Sequence, residues 1–192
     1  MKIVSMRASV SGLCLALGAF GTGCMTDGDL DGTEASVSSE ISLDPTASYT
    51  LIGVQSTRCV GPVGGSTASN VRLEIENCTG TAIQRWRPEP VGGGFFRMHN
   101  ELSGLCIDVS GASLALGAAV IQFTCNTGTN QQWAVADVTG GSERLTVRHS
   151  GQVLDVSGQG TAAGTLLEQW SSNNGANQHF TMPEALPAIV GN

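Results

Sequence analysis

Two stretches of the sequence combine a carboxylate, an aromatic ring and neighbouring amides at the same spacing. The second set follows the first at a distance of 47 residues. The two sets are Asp108, Phe123, Asn130 and Gln131, and Asp155, Trp170, Asn177 and Gln178. A carboxylate only accepts hydrogen bonds, an amide donates and accepts them, and an aromatic ring offers a flat apolar face. Together these groups can bind a ligand that has a polar edge and an apolar face.

Other chemistry fits the sequence poorly. No Ser-His-Asp or Cys-His arrangement stands out, and His99, His149 and His179 do not form the close cluster of ligands that zinc requires. The stretch "DGDLDG" resembles the start of a calcium-binding EF-hand loop, but no Glu stands at the twelfth position counted from Asp27. We therefore expect no enzyme activity, no metal and no cofactor.

The elements that must position these residues belong to an internal repeat. At an offset of 47 residues "DVSG" meets "DVSG", and "AIQRW", "TNQQW" and "ANQHF" fall on one another. The repeats span about 48–94, 95–141 and 142–183. Short apolar runs alternate with Gly-rich turns and show no helical periodicity, which predicts an all-β domain of about twelve short strands. Trp86, Trp133 and Phe180, one in each repeat, are predicted core residues.

Four cysteines form two pairs of positions that are also 47 residues apart. Cys59 falls on Cys106, and Cys78 falls on Cys125. In the third repeat both positions lose cysteine together, to Val153 and Ser172, as expected if the partners pair within a repeat. We predict disulfides Cys59–Cys78 and Cys106–Cys125, each worth about 3 kcal/mol by closing a loop.

Three repeats of this length, ending in Gln-x-Trp or Gln-x-Phe, resemble the ricin B-type lectin domain. The resemblance covers residues 48–183 and implies a β-trefoil that binds a sugar in a shallow pocket, with one pocket available in each repeat. It also implies the roles of the two residue sets. The Asp accepts hydrogen bonds from sugar hydroxyls, the aromatic ring stacks on the sugar, the Asn completes the polar contacts, and the Gln helps to position them.

The first repeat departs from this pattern. Gly61 replaces the Asp, Glu76 the aromatic residue and Ile83 the Asn, and Gln84 alone is kept. The glutamines can be purely structural, and an Asp can merely cap a turn. However, the repeats that keep the Asp also keep the aromatic residue and the Asn, which favours binding. We predict two sugar sites, in the second and third repeats, and none in the first.

The N-terminal residues predict export. Residues 1–23 carry Lys2, Arg7 and a short apolar run, as in a signal peptide. The stretch "FGTGC" resembles the lipobox of bacterial lipoproteins, which implies lipidation of Cys24 and a place in the cell envelope; secretion is the alternative. Residues 24–47 are acidic and predict a flexible linker, and residues 184–192 a C-terminal tail.

The partner expected from these patterns is a carbohydrate, with galactose- or xylose-type glycans as the candidates. A net charge of −7 argues against nucleic acid. We expect a monomer that touches a membrane only through the lipid on Cys24. The alternative is a β-trefoil that binds proteins or inhibits proteases without binding sugar.

Overall fold

The computed structural model describes residues 41–138 and 140–185. The predicted signal peptide, the lipidation site Cys24, the linker up to residue 40 and residues 186–192 of the predicted tail lie outside this range. The described residues belong to a single unit, 37–192. No helix among them has the length and apolar character needed to cross a membrane.

The described chain is built from thirteen short strands and six single-turn 3₁₀ helices, so the prediction of an all-β fold is confirmed. The strands are β1 Tyr49–Thr50, β2 Ile52–Gly53, β3 Cys59–Pro62, β4 Val71–Glu76, β5 Arg85–Gly92, β6 Phe95–Asn100, β7 Cys106–Val109, β8 Val120–Phe123, β9 Trp133–Val138, β10 Ser142–Val147, β11 Val153–Val156, β12 Thr165–Trp170 and β13 Phe180–Thr181. The 3₁₀ helices are Val63–Gly65, Ala82–Gln84, Ser110–Ala112, Thr129–Gln131, Ser157–Gln159 and Ala176–Gln178.

The strand beyond the predicted twelve lies at the start of the first repeat, where two short strands, β1 and β2, replace one. Tyr49 pairs with Trp86 of β5, whereas Ile52 pairs with Thr181 of β13. The opening strand is therefore split because its two halves join different neighbours, and this accounts for one strand beyond the predicted twelve.

Each of the three repeats contains an equivalent hairpin. β3 pairs with β4, β7 with β8 and β11 with β12, all antiparallel and in the same register. Cys59 thus lies opposite Glu76, Cys106 opposite Phe123 and Val153 opposite Trp170. In addition, β4 pairs with both β8 and β12, which joins the three hairpins in one sheet.

The hydrophobic core contains the aromatic residue of each Gln-x-aromatic motif. Trp86, Trp133 and Phe180 are fully buried, which confirms their predicted role. Each tryptophan also donates its indole N–H to a strand carbonyl, Trp86 to Val60 at 3.2 Å and Trp133 to Ile107 at 3.1 Å. Phe180 fills the equivalent position of the third repeat with a ring that has no hydrogen-bond donor.

Both predicted disulfides are present, Cys59–Cys78 and Cys106–Cys125. Each closes a loop with a sequence separation of 19 residues. In the third repeat Arg144 approaches the same loop from β10 and donates to the hydroxyl of Ser172 at 3.2 Å. In the third repeat a hydrogen bond from Arg144 thus reaches the segment that a disulfide holds in the other two repeats.

Packing against the domain extends beyond the boundaries predicted at residues 48 and 183. Leu43 is buried within the core cluster, and the backbone N–H of Asp44 donates to the Tyr49 hydroxyl at 2.9 Å. At the other end Glu184 pairs with Tyr49, and the N–H of Ala185 donates to the carbonyl of Ser48 at 2.7 Å. Residues on both sides of the predicted domain therefore add to the same core and sheet.

Candidate functional site

Each predicted site draws on three elements of one repeat. The Asp lies on the first strand of the hairpin, β7 or β11, and the aromatic residue ends the second strand, β8 or β12. The Asn and Gln lie in the 3₁₀ helix that precedes the buried motif aromatic. Because the strand register is the same in both repeats, the two sets acquire the same geometry.

In the second repeat, the two amides converge on one oxygen of Asp108. Asn130 Nδ2 donates to Asp108 Oδ2 at 2.9 Å, and Gln131 Nε2 donates to the same oxygen at 2.7 Å. No described residue donates to Asp108 Oδ1. The carboxylate is therefore held in a fixed orientation while one oxygen stays available to accept from a ligand.

The third repeat reproduces this arrangement closely. Asn177 Nδ2 donates to Asp155 Oδ2 at 2.9 Å and Gln178 Nε2 donates to it at 2.7 Å. Both Asp side chains are almost completely buried, at 3% exposure each. The four residues predicted in each repeat thus include a rigid hydrogen-bonded trio.

A surface cavity opens beside each trio. The cavity of the second repeat measures about 280 Å³ and is lined by Asp108, Phe123 and Asn130; that of the third measures about 310 Å³ and is lined by Asp155, Trp170 and Asn177. Phe123 and Trp170 are more than one third exposed, unlike the other large aromatic side chains of the described domain. An exposed ring beside a fixed carboxylate can stack on the apolar face of a ligand whose polar edge meets the acid.

Burial alters the acidity of both carboxyl groups. Desolvation raises the pKa of Asp108, while the hydrogen bonds from Gln131 and Asn130 act in the opposite direction. Desolvation also raises the pKa of Asp155, and the negative charge of Glu168 raises it further. The two sites therefore share their hydrogen-bond geometry but differ in their charged surroundings.

The motif glutamine has a structural role in all three repeats. The side chain of Gln84 accepts from the N–H of Thr79 at 2.7 Å and donates to the carbonyl of Asn77 at 2.8 Å, which closes the turn before the motif. Gln131 and Gln178 make the same pair of bonds in their own repeats. The bond to the Asp is additional and occurs in the second and third repeats.

In the first repeat a side chain occupies the place of the missing carboxylate. The Glu76 carboxylate turns toward Gly61 so closely that a Cβ at position 61 would collide with Glu76 Oε1. That oxygen is buried and has no hydrogen-bond partner among the described residues. Ile83 is also buried and supplies no amide to this position. The first repeat therefore lacks the polar trio and fills part of its space itself.

Several residues around the cavities were not anticipated from the sequence. Asn70, which belongs to the first repeat, lines the cavity of the second, and Ile121 and Asn126 line it too. Gln159, Glu168 and Asn173 line the cavity of the third repeat. The pair Ile121 and Glu168 lies at the 47-residue offset and two residues before each aromatic, so the repeat itself was the available signal. Asn70 gave no signal because a different repeat contributes it.

One group of metal-ligating residue types occurs in the described part of the chain. His99 Nδ1 lies 3.7 Å from Cys106 Sγ and 3.4 Å from Cys125 Sγ. The two sulfur atoms are bonded to each other, so neither is the thiolate that binds zinc. The opposite ring nitrogen, Nε2, lies 2.6 Å from Glu89 Oε2, which gives the histidine a structural partner.

Several solved structures share this fold. The designed threefold symmetric protein ThreeFoil is 32% identical, with a TM-score of 0.69 over 72% of this chain and 98% of that one. The exo-β-1,3-galactanase 1,3Gal43A from Clostridium thermocellum is also 32% identical, with a TM-score of 0.71 over 72% of this chain but 30% of the enzyme. The Macrolepiota procera ricin B-like lectin, solved with lactose, is 18% identical, with a TM-score of 0.64 over 74% of this chain and 98% of the lectin. No curated protein sequence is similar enough to count as a match.

A family match agrees with these structural features, which are the three equivalent hairpins, the buried Gln-x-aromatic motif and the two trios. The model for the ricin-type β-trefoil lectin domain matches residues 47–180. Those residues make up most of the chain and contain all three repeats. A domain of this type supports carbohydrate binding as the general activity. The chain belongs to the ricin-type β-trefoil lectin domain family.

Proposed function

We propose that this protein is a non-catalytic lectin that binds sugars through two shallow sites, one in the second repeat and one in the third. The observation that carries the proposal is the repeated trio of Asp, Asn and Gln beside an exposed aromatic ring. A pyranose has adjacent hydroxyls along its edge and C–H groups on its face, and it needs these same groups from a protein.

The difference between the repeats supports binding over a purely structural role. The fold needs Gln84 in the first repeat as much as Gln131 in the second, since both close the same turn. It does not need the Asp, because Gly61 stands at that place and the hairpin keeps its register. The buried carboxylates are therefore retained at a cost in desolvation, which is typical of functional groups.

Catalysis is not part of the proposal. Asp108 and Asp155 occupy equivalent strands of different repeats and line separate cavities, whereas glycoside hydrolysis needs two carboxyl groups on either side of one bond. The galactanase in which a similar domain occurs is more than three times longer than the matched region. Sugar capture without bond cleavage is the role that the two cavities support.

The biological setting of the proposal is the cell envelope of a bacterium. The leader, the lipid on Cys24 and the acidic linker would hold the domain outside the cell, where it binds glycans or polysaccharides of the galactose or xylose type. An open site for a single sugar gives an affinity of roughly millimolar to tens of micromolar. Mass spectrometry of the mature N-terminus tests the lipid: a diacylglyceryl adduct on Cys24 supports it, and an unmodified N-terminus overturns it.

The sugar sites are tested by a glycan array with the full chain and its Asp108→Ala and Asp155→Ala variants. Each single change should silence one site, and the double change should abolish binding. Asp137→Ala is the matched control, because Asp137 is exposed on β9 and lines neither cavity. Sugar binding that survives the double change would contradict the proposal, as would capture of a protein partner by a chain that binds no glycan.

A further inference from the structure

The cavity of the third repeat differs from that of the second in one charged residue. Two positions before the exposed aromatic, the second repeat has Ile121 and the third has Glu168, and both line their cavities. The first repeat also has a glutamate there, but Glu74 lies near a backbone N–H, that of Gly64, at 3.3 Å from its Oε1. Glu168 has no comparable bond.

The Glu168 carboxylate has no partner within the described chain. It makes no side-chain hydrogen bond, and it takes part in none of the salt bridges that the described residues form. The neighbouring basic residue Arg72 donates to the backbone carbonyl of Leu167 at 3.1 Å instead. The charge of Glu168 is therefore available to a ligand in the cavity.

The charges of the cavity wall are negative, although Gln159, Asn173 and Trp170 also bring N–H donors to it. Asp155 Oδ1 receives no hydrogen bond from the described residues. Asn177 is 4% exposed, and its Nδ2 is committed to Asp155. The charged residues of the wall, Asp155 and Glu168, are both anionic. A ligand that brings a positive charge therefore fits this wall better than a neutral one.

We propose that the third-repeat site selects sugars that carry a free, protonated amine, and that Glu168 is the residue that sets this preference. The proposal rests on the proposed lectin function and names the ligand class of one of its two sites. An ammonium group offers three donors and a full charge to Glu168 and Asp155. It is also attracted to the face of the Trp170 ring, which an uncharged hydroxyl is not.

The second-repeat site lacks this preference. Ile121 presents a hydrocarbon surface where Glu168 presents a charge, and Asp108 is influenced by the imidazole of His149 rather than by a second acid. We expect that site to bind neutral sugars. An N-acetylated sugar keeps the same skeleton without the charge and should lose the advantage at the third repeat, and a uronic acid should be repelled there.

The experiment uses the indole N–H signal of Trp170 in two-dimensional NMR of the full chain. Trp86 and Trp133 are fully buried, so the Trp170 signal reports the third-repeat site, and Trp170→Phe assigns it. The probes are galactose with galactosamine and glucose with glucosamine. At low salt the amino sugar should bind about tenfold more tightly than its neutral partner, and the ratio should shrink near 1 M salt, where charges are screened beyond roughly 3 Å.

Two variants test the role of Glu168 itself. Glu168→Gln keeps the size of the side chain and should cut the preference several-fold, leaving what Asp155 and Trp170 contribute. The reciprocal change places the acid in the other repeat: Phe123→Trp supplies an indole reporter, and Ile121→Glu added to it should create the preference there. Since Ile121 is buried, Ile121→Gln in the same background controls for destabilisation.

The outcomes separate this proposal from the lectin proposal. Equal binding of neutral and amino sugars at the Trp170 signal leaves the lectin function standing and overturns the amine preference. An amine preference of unchanged size in Glu168→Gln also overturns it. If no sugar of either kind shifts the Trp170 signal, both proposals fail for this site.

Discussion

A buried carboxylate held by two amides is the smallest unit that distinguishes the second and third repeats from the first. In Asp108 and Asp155 one oxygen receives both amides, so the orientation of the other is fixed before any ligand arrives. Preorganisation of this kind reduces the entropy lost on binding. At the scale of single residues, the charge of the Asp and the structural and binding roles of the Gln can each be tested.

Sugar binding should weaken on acidification before the domain unfolds. Burial raises the pKa of Asp108 and Asp155 above the ordinary value of 3.8, so they are protonated at a higher pH than an exposed Asp. Protonation removes the charged acceptor. Since the folded pKa lies above the unfolded one, the folded state binds these protons more tightly, and these two groups contribute relative stability as the pH falls.

The measurement is sugar affinity and circular dichroism recorded together from neutral pH downward. Affinity should fall as the pH approaches the raised pKa values, while the β spectrum is unchanged. Loss of binding only at the pH at which the domain unfolds would contradict the prediction.

Replacing the motif glutamine should separate structure from binding. Gln84→Ala removes two hydrogen bonds from a turn and should lower the free energy of unfolding by about 2 kcal/mol without changing sugar affinity. Gln131→Ala should cost a similar amount and also weaken the second-repeat site, because it removes one of the two donors that hold Asp108 Oδ2. Chemical denaturation and sugar titration of both variants check this. Equal sugar binding by the two would show that Gln131 acts as scaffold alone.

At the scale of the elements, the hairpin with its 3₁₀ helix is the unit that is repeated and modified. The register of β3–β4, β7–β8 and β11–β12 is the same whether the loop carries a disulfide or not. The hairpin is therefore specified by its strands and by the Gln that closes the turn, and the disulfide adds stability to a geometry that exists without it in the third repeat.

Removing the first-repeat disulfide should cost stability and leave sugar binding intact. Cys59→Ser with Cys78→Ser reopens a loop of 19 residues, which should lower the free energy of unfolding by about 3 kcal/mol. Thermal denaturation and the glycan array measure the two effects. The matched control is Cys106→Ser with Cys125→Ser, which should cost a similar amount but also loosen a repeat that carries a site. Lost binding in the first variant would mean that the sites depend on the first repeat more than we expect.

The whole molecule carries the two proposed sugar sites on one β domain, with the first repeat as structural support. That repeat still contacts both proposed sites, since Asn70 lines the second-repeat cavity and β4 pairs with both β8 and β12. A change in the first repeat can therefore reach the sites even though it has no polar trio of its own.

Binding to a repeating polysaccharide should exceed binding to a single sugar. Two sites on one rigid body convert the second contact into an intramolecular one, which gains about 10²-fold or more where the polymer spans both sites. Retention on an immobilised polysaccharide should drop by that factor in either Asp108→Ala or Asp155→Ala, while the single-sugar affinity of the remaining site stays the same. Retention that merely halves would show that the two sites act independently.

The sequence by itself determined the repeat and what the repeat implies. A fixed offset of 47 residues placed Trp86, Trp133 and Phe180 in the core, paired the cysteines and predicted an all-β domain, because equivalent sequences fold into equivalent units. It also grouped each Asp with its aromatic residue and amides, and the structure brings each group together at one cavity. The role of these groups in sugar binding is still a prediction.

Only the tertiary structure decided which residues meet across repeats and which groups are left without partners. Local patterns do not encode the approach of Asn70 to the second-repeat cavity or the turning of Glu76 toward Gly61, since both depend on side-chain packing between strands. The same holds for Glu168. The sequence shows an acid two residues before a tryptophan, and only the structure shows that this acid lines a cavity beside a second acid and no cation.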